Sequence, residues 1–331
     1  MAELLVNAAT NLTSPMILFF VLGIIGAFVK SNLLIPESIT KALSIYLMIA
    51  IGFKGGAELS VTGITAATVS AVGATLALGL VIPIVAFGLL RKLGRLDSAN
   101  AGAIAAHYGS CSVVTFVTAA TFLERASVPF DGFMVGLMAL MESPGIFMSL
   151  LLVRWSLHKK SGEGKQVLSE IAKETLVNPS IFLLFGSLLV GYATGHRGAE
   201  LTTPFFVSPF YGVLCFFLLE MGIMTGKRIG DFKKVGFRLA TFAVLIPTMS
   251  AILSAFTGAF IGLSIGSTLL LVVLAASASY IAAPAAIRMA LPTANPAYYI
   301  TMSLGITFPL NILVGIPLYY SLSEWCVNLL R

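Results

Sequence analysis

Gly109, Ser110, Cys111 and Ser112 sit in the middle of "HYGSCSVVTF", a run that is otherwise apolar, and Ser277 and Ser279 in "ASASYIAAP" repeat the pattern 167 residues later. Backbone N–H groups freed at a helix break inside hydrocarbon must find partners. A half-helix N-terminus gathers several such donors and a partial positive charge, which suits a small anion. Hydroxyl and carbonyl oxygens suit a hard cation such as sodium. Ser110, Ser112 and Thr115 on one side, with Ser277 and Ser279 on the other, offer both kinds of contact. Small-x-small patterns also let helices pack closely, and packing is the competing reading of "GSCS" taken alone.

Ionisable side chains in the same apolar runs are costly and mark functional positions. Glu142 in "LMALMESPG" and Glu220 in "FFLLEMGIM" are candidate coupling carboxylates, each with a structural ion pair as its alternative. His107, two residues before Gly109, titrates near neutral pH when unperturbed and is a candidate proton relay or a structural residue. Arg288 follows the second break and either draws an anion to the inner mouth or snorkels to headgroups.

The elements that carry these residues are set by composition. Of 331 residues 58% are apolar and 10% charged, and the mean hydropathy is +0.98. Soluble domains run near 45–50% apolar and about 25% charged, so this is an integral membrane protein. The runs are apolar on every face and long enough for helices of ~20 residues, which argues against a barrel of alternating strands. Ten spans are expected, roughly at 15–30, 37–53, 61–91, 99–123, 131–157, 179–195, 206–226, 237–263, 267–291 and 297–327. The N-terminus has no basic leader before an apolar core, so the first span is expected to be retained.

The polar interval 158–178 divides the chain into two five-span halves, 1–157 and 179–331. With that linker cytoplasmic and both termini outside, 16 of the 20 basic residues face the cytoplasm, leaving Lys54, Arg125, Arg197 and Arg331 outside. This sidedness accounts for the net charge of +6 without invoking nucleic acid. The expected location is the inner (plasma) membrane, in contact with lipid.

An odd number of spans per half makes any repeat an inverted one. "SPMILFF" from Ser14 pairs with "NPSIFLL" from Asn178, and "IGFKGGAEL" from Ile51 with "MGIMTGKRI" from Met221. "VIP" ending at Pro83 pairs with "LIP" ending at Pro247, "GSCS" with "ASAS", and Pro129 with Pro296, all at offsets of 164 to 170. Inverted repeats with interrupted helices, here the fourth and ninth, characterise secondary transporters.

Other classes find little support. His107, His158 and His196 are scattered, and no HExxH, GxSxG or triad-like spacing is present, which argues against an enzyme. Cys111, Cys215 and Cys326 lack metal-ligand spacing and suit neither a disulfide framework nor zinc. No cofactor is expected, and a channel is the less favoured alternative to a carrier.

The chain resembles the sodium-dependent bicarbonate transporters of the SbtA type. The resemblance spans nearly the whole chain and is sharpest in "SYIAAPAAIRMALPTANPAYYI", with "FLERASV", "MESPGIF" and "VGIPLYY" beside it. It implies two inverted five-helix repeats forming core and gate domains, a homotrimer, transport of bicarbonate with sodium, and a PII-like nucleotide-binding protein as a cytoplasmic partner. It also implies that Glu142 matches an acidic position just before a proline.

The family's serine-glycine-serine-threonine core reads here Ser112, Val113, Val114 and Thr115. Its second motif matches Ser277, Ser279, Ile281 and Pro284, and loosely Ala282 and Ala283. Tyr280 stands where the family has an aspartate, and Ala282 where it has a serine. The implied substrate and ion contacts are thus Gly109, Ser110, Ser112, Thr115, Ser277, Ser279, Tyr280 and Ala282, with Ser112, Thr115 and Ser279 as sodium candidates. The missing aspartate points to another carboxylate, or to a different coupling ion such as the proton with another small anion or carboxylate as cargo.

Overall fold

The computed structural model describes residues 13–157 and 179–330, apart from 32, 34, 64, 143, 230, 231 and 281. The linker 158–178 lies outside the described residues. Among the described residues every regular element is helical, as expected where hydrocarbon forces backbone groups to bond within their own segment.

The first half contains α1 (Pro15–Phe28), α2 (Glu37–Thr62), α3 (Ala66–Lys92), α4 (Ser98–Gly109), α5 (Val113–Arg125), α6 (Met134–Met141) and α7 (Pro144–Leu157). The second contains α8 (Pro179–Phe206), α9 (Phe210–Ile229), α10 (Phe232–Phe260), α11 (Ile265–Ala276), α12 (Ala282–Ala290) and α13 (Pro296–Ile300). The chain then passes through π-type turns at Thr301–Thr307 and Asn311–Gly315, which flank α14 (Phe308–Leu310), into α15 (Ile316–Leu330). Among the described residues, seven helical stretches are long and apolar enough to cross a membrane, and α1 and α11 are shorter apolar helices.

Local sequence accounts for the ends. Ser14 caps α1, its hydroxyl accepting the Ile17 N–H at 3.4 Å, and Pro15 follows at the first helical position, where a missing N–H costs nothing. Asp97 caps α4 and Ser264 caps α11 in the same way.

Three boundaries differ from the sequence expectation. Instead of ending near residue 53, α2 continues past Lys54 to Thr62 and stops at Gly63, whose φ of 71° suits glycine. The span expected over 131–157 is divided at Glu142 into α6 and α7, with Pro144 opening the second piece. The last span is not a uniform α-helix, because Pro309 lies between the two π-type turns. Both α8 and α10 bend at glycines in the left-handed region, Gly195 and Gly236.

Packing sorts the helices into two groups. In the first, α1 lies along α9 and α2 along α8. Their backbones approach so closely at Gly23 and Gly222, and at Gly56 and Gly191, that an added Cβ would meet the facing main chain. The second group is α3, α4, α5, α7, α10, α11 and α15, in which α11 is buried along nearly its whole length. Helix α6 touches both groups. Residues such as Leu18, Leu22 and Ile25 on α1 or Ile84 and Val85 on α3 point outward, as lipid-facing positions should.

Candidate functional site

The serine-bearing segments meet. Helix α4 ends at Gly109, Ser110 turns extended (φ −113°, ψ 148°), and α5 restarts after Ser112. Helix α11 ends at Ala276, Ser277 is likewise extended, and α12 begins at Ala282. The main-chain N–H of Ser112 donates to Ser277 Oγ at 2.9 Å, and the N–H of Ser279 donates to the carbonyls of His107 at 2.8 Å and Ser110 at 3.1 Å. Two non-helical segments buried in the protein thereby satisfy each other's backbone, the condition for irregular chain at membrane depth.

The hydroxyls divide into spent and free. Ser277 Oγ accepts from Ser112 and donates to Leu274 O at 3.2 Å, so it is structural. Ser112 Oγ caps α5, accepting from the Thr115 N–H at 3.2 Å and the Thr115 hydroxyl at 2.9 Å, and keeps its own proton. Ser279 Oγ accepts the Ala283 N–H at 3.2 Å and also keeps its proton. Ser110 Oγ and the Tyr280 hydroxyl are buried without a hydrogen-bond partner among the described residues, and Tyr280 lies toward Ser112. The hydroxyl protons of Ser110, Ser112, Ser279 and Tyr280 therefore have no acceptor among the described residues. Of Ala282, the backbone alone is described, as the first residue of α12.

Glu142 lies beside this cluster. Cys111, between the two serines, donates to Met138 O at 3.3 Å, one turn before Glu142, and is within electrostatic reach of that carboxylate. Glu142 is 3% exposed, and its Oε2 has no hydrogen-bond partner among the described residues. The two chains come this close because Gly145 packs directly on the Gly109 backbone, with Pro83 behind it. Glu220 is buried on α9 in the other helix group, also with an unpartnered Oε2, and no described contact joins it to the serines. His107 stacks on Tyr299 with ring centroids 4.5 Å apart; its Nδ1 meets Ala103 O at 2.7 Å while Nε2 has no partner. The backbone of Arg288 lies in α12; its side chain is outside the described residues.

Several residues that position the site went unread in the sequence. Asn311, in the second π-type turn, donates to Ala276 O at 3.0 Å and so takes up an orphaned carbonyl of α11; Tyr319 donates to Asn311 Oδ1 at 2.8 Å. Thr307 gives its proton to Ala243 O at 2.7 Å, so the Tyr108 hydroxyl donates to Thr307 at 2.6 Å, tying α4 to α10. The signal was an amide and a hydroxyl in the apolar run "TFPLNILVG", polar groups that a span holds only for a reason.

A cavity of about 540 Å³ lies between the helix groups, lined by Ala50, Ile51 and Lys54 of α2, Ala120, Thr121 and Glu124 of α5, and Tyr211 of α9, among others. Lys54 and Glu124 form an ion pair across it, and the Tyr211 hydroxyl donates to Glu124 at 3.1 Å.

Apolar helices of membrane length, with helical elements throughout the described residues, define a multi-pass membrane protein. The sequence profile of the Na+-dependent bicarbonate transporter superfamily matches residues 15–324, nearly the whole chain. The protein belongs to that superfamily, a family of transporters. No protein of curated function matches it.

Proposed function

We propose that the protein is a secondary active transporter that carries bicarbonate with sodium by alternating access, with its ion site between residues 110–115 and 277–282. The observation that carries the reading is the reciprocal bonding of Ser112 to Ser277 and of Ser279 to Ser110. At the offset of 167, Ser110 corresponds to Ser277 and Ser112 to Ser279, so the two bonds join equivalent residue pairs, the acceptor being the Ser277 hydroxyl in one and the Ser110 carbonyl in the other.

Other contacts repeat under the same operation. Gly145 packs on Gly109, and Asn311, near the position equivalent to Gly145, bonds Ala276, the equivalent of Gly109. The loop before α6 docks on α11 through Asp131 and Ser267 at 2.7 Å. The loop before α13 docks on α4 through Asn295 and Asn100, again at 2.7 Å. These pairs support two inverted five-span repeats, with α4–α5 and α11–α12 as the interrupted fourth and ninth spans. The helix group of α1, α2, α8 and α9 serves as gate and the other group as core.

In this reading bicarbonate is held by the free hydroxyl protons of Ser110, Ser112, Ser279 and Tyr280 and by the N-termini of α5 and α12. Sodium takes oxygens of Ser112, Thr115 and Ser279. Glu142, one helix break away, supplies the negative charge that Tyr280 does not. Both termini lie outside, and the 158–178 linker is cytoplasmic. Family resemblance extends the proposal to a homotrimer and a PII-like partner.

Tyr280 and the unpartnered Glu142 carboxylate favour one alternative, proton-coupled transport of bicarbonate or another small anion with Glu142 carrying the proton. Purified protein in proteoliposomes separates the two. Sodium symport requires that an inward sodium gradient drive accumulation of labelled bicarbonate when a protonophore is present; accumulation that follows the pH gradient and ignores sodium removes it.

A further inference from the structure

Lys54 and Glu124 face each other across the cavity between the two helix groups, Lys54 on α2 and Glu124 on α5, with Tyr211 of α9 holding the carboxylate from the same side as the lysine. Glu124 is twelve residues from Ser112 along α5, a rise of ~18 Å, so the pair stands about half a membrane from the serine cluster. Thr121 and Ala120 of the same helix line the cavity wall below it. By the proposed orientation this is the outer mouth.

The pair is built to be exchanged. Its side chains are 55% and 29% exposed, so the charges have not left water and their attraction is weak and screened by salt. Lys54 is the cation among the described residues that line the cavity, with Arg125 adjoining Glu124 and acting on Tyr211, and Gly55 and Gly56 follow Lys54 on a helix that packs tightly against α8, which fixes its position. A carboxylate and bicarbonate present the same planar pair of oxygens to an ammonium group, so what Glu124 does from within, the cargo can do from solution.

We propose that Lys54 is an anion-docking point at the outer mouth, occupied by the Glu124 carboxylate in this conformation and handed to bicarbonate when the two helix groups part. The pair is then both a latch and the first contact of the substrate. The inference rests on the transport of bicarbonate proposed above and adds a second site to it.

The test is initial-rate uptake of labelled bicarbonate by wild-type protein and by the Lys54→Gln, Glu124→Gln and Tyr211→Phe variants in proteoliposomes, at saturating sodium. Competition between Glu124 and the cargo predicts opposite shifts: Lys54→Gln raises KM about tenfold and Glu124→Gln lowers it about threefold, with maximal rates changed less than about twofold. Tyr211→Phe moves KM in the direction of Glu124→Gln by a smaller factor. A bridge that only holds helices together moves both glutamine variants in the same direction, which overturns the docking point, as does an unchanged KM beside a transporting wild type. Absence of bicarbonate uptake by the wild type removes the transport reading and this inference with it.

Discussion

At the first break Ser110 Oγ, His107 Nε2 and Glu142 Oε2 make no hydrogen bond among the described residues, whereas at the second Asn311 takes up the Ala276 carbonyl and is itself held by Tyr319. Equivalent stretches of the two halves have thus been finished differently. Where the first half brings two glycines together, the second places an amide that uses both of its ends. An amide bonded on both sides fixes a helix terminus, and buried polar groups without partners are tolerated where something else is meant to meet them. Both breaks keep a buried hydroxyl without a partner among the described residues, Ser110 on the first and Tyr280 on the second, so they differ in how their helix ends are framed rather than in whether they carry free polar groups.

The contrast breaks most severely at the glycine contact. Gly145→Val forces a branched side chain into the Gly109 backbone, and an expected loss of about 3 kcal/mol or more should appear as a large fall in Tm together with loss of uptake. Gly88→Ala, at a position facing open space, should leave both unchanged. Asn311→Ala strands the Ala276 carbonyl and the Tyr319 hydroxyl and should cost about 1–3 kcal/mol, read by thermal unfolding in detergent.

Glu142→Gln sharpens the comparison from the other side. It removes a buried charge with an unpartnered oxygen, so stability should hold or rise slightly while sodium-dependent uptake falls more than about tenfold. Equal sodium dependence in wild type and variant would place the compensating charge elsewhere. The smallest effect concerns the caps. Burial alone raises the Asp97 carboxyl, but hydrogen bonds from Asn100, its N–H at 3.0 Å and its side chain at 2.5 Å, outweigh that and hold it below the usual aspartate value. The cap is therefore present at neutral pH and weakens as pH falls through its lowered folded value. Asp97→Ala should cost about 1 kcal/mol at pH 7 and progressively less in acid. Ser264→Ala at the second half's cap should show no such pH dependence.

Sequence reading reached what periodicity and composition control. The all-helical membrane class, the hydroxyl positions at 110–112 and 277–279 and the proline starts at Pro15 and Pro179 were all legible, because each is written in consecutive residues. It missed the division at Glu142, since "LMALMESPG" is apolar enough to read as part of one continuous span over 131–157. It missed Asn311, Thr307 and the Lys54–Glu124–Tyr211 cluster because their partners lie 35 to 87 residues away or more, and such distances are set by packing. Thr115 was a sodium candidate by residue type and by its match to the family's threonine; its hydroxyl proton goes to Ser112, which leaves lone pairs as its remaining contribution.

The central claim is that the crossed serine breaks hold the transported ions, and Ser110→Ala tests it with least disturbance, because its hydroxyl has no partner among the described residues to lose. In proteoliposomes with an inward sodium gradient, the variant should keep the wild-type Tm and lose most of its bicarbonate accumulation. Accumulation equal to that of the wild type would contradict the assignment.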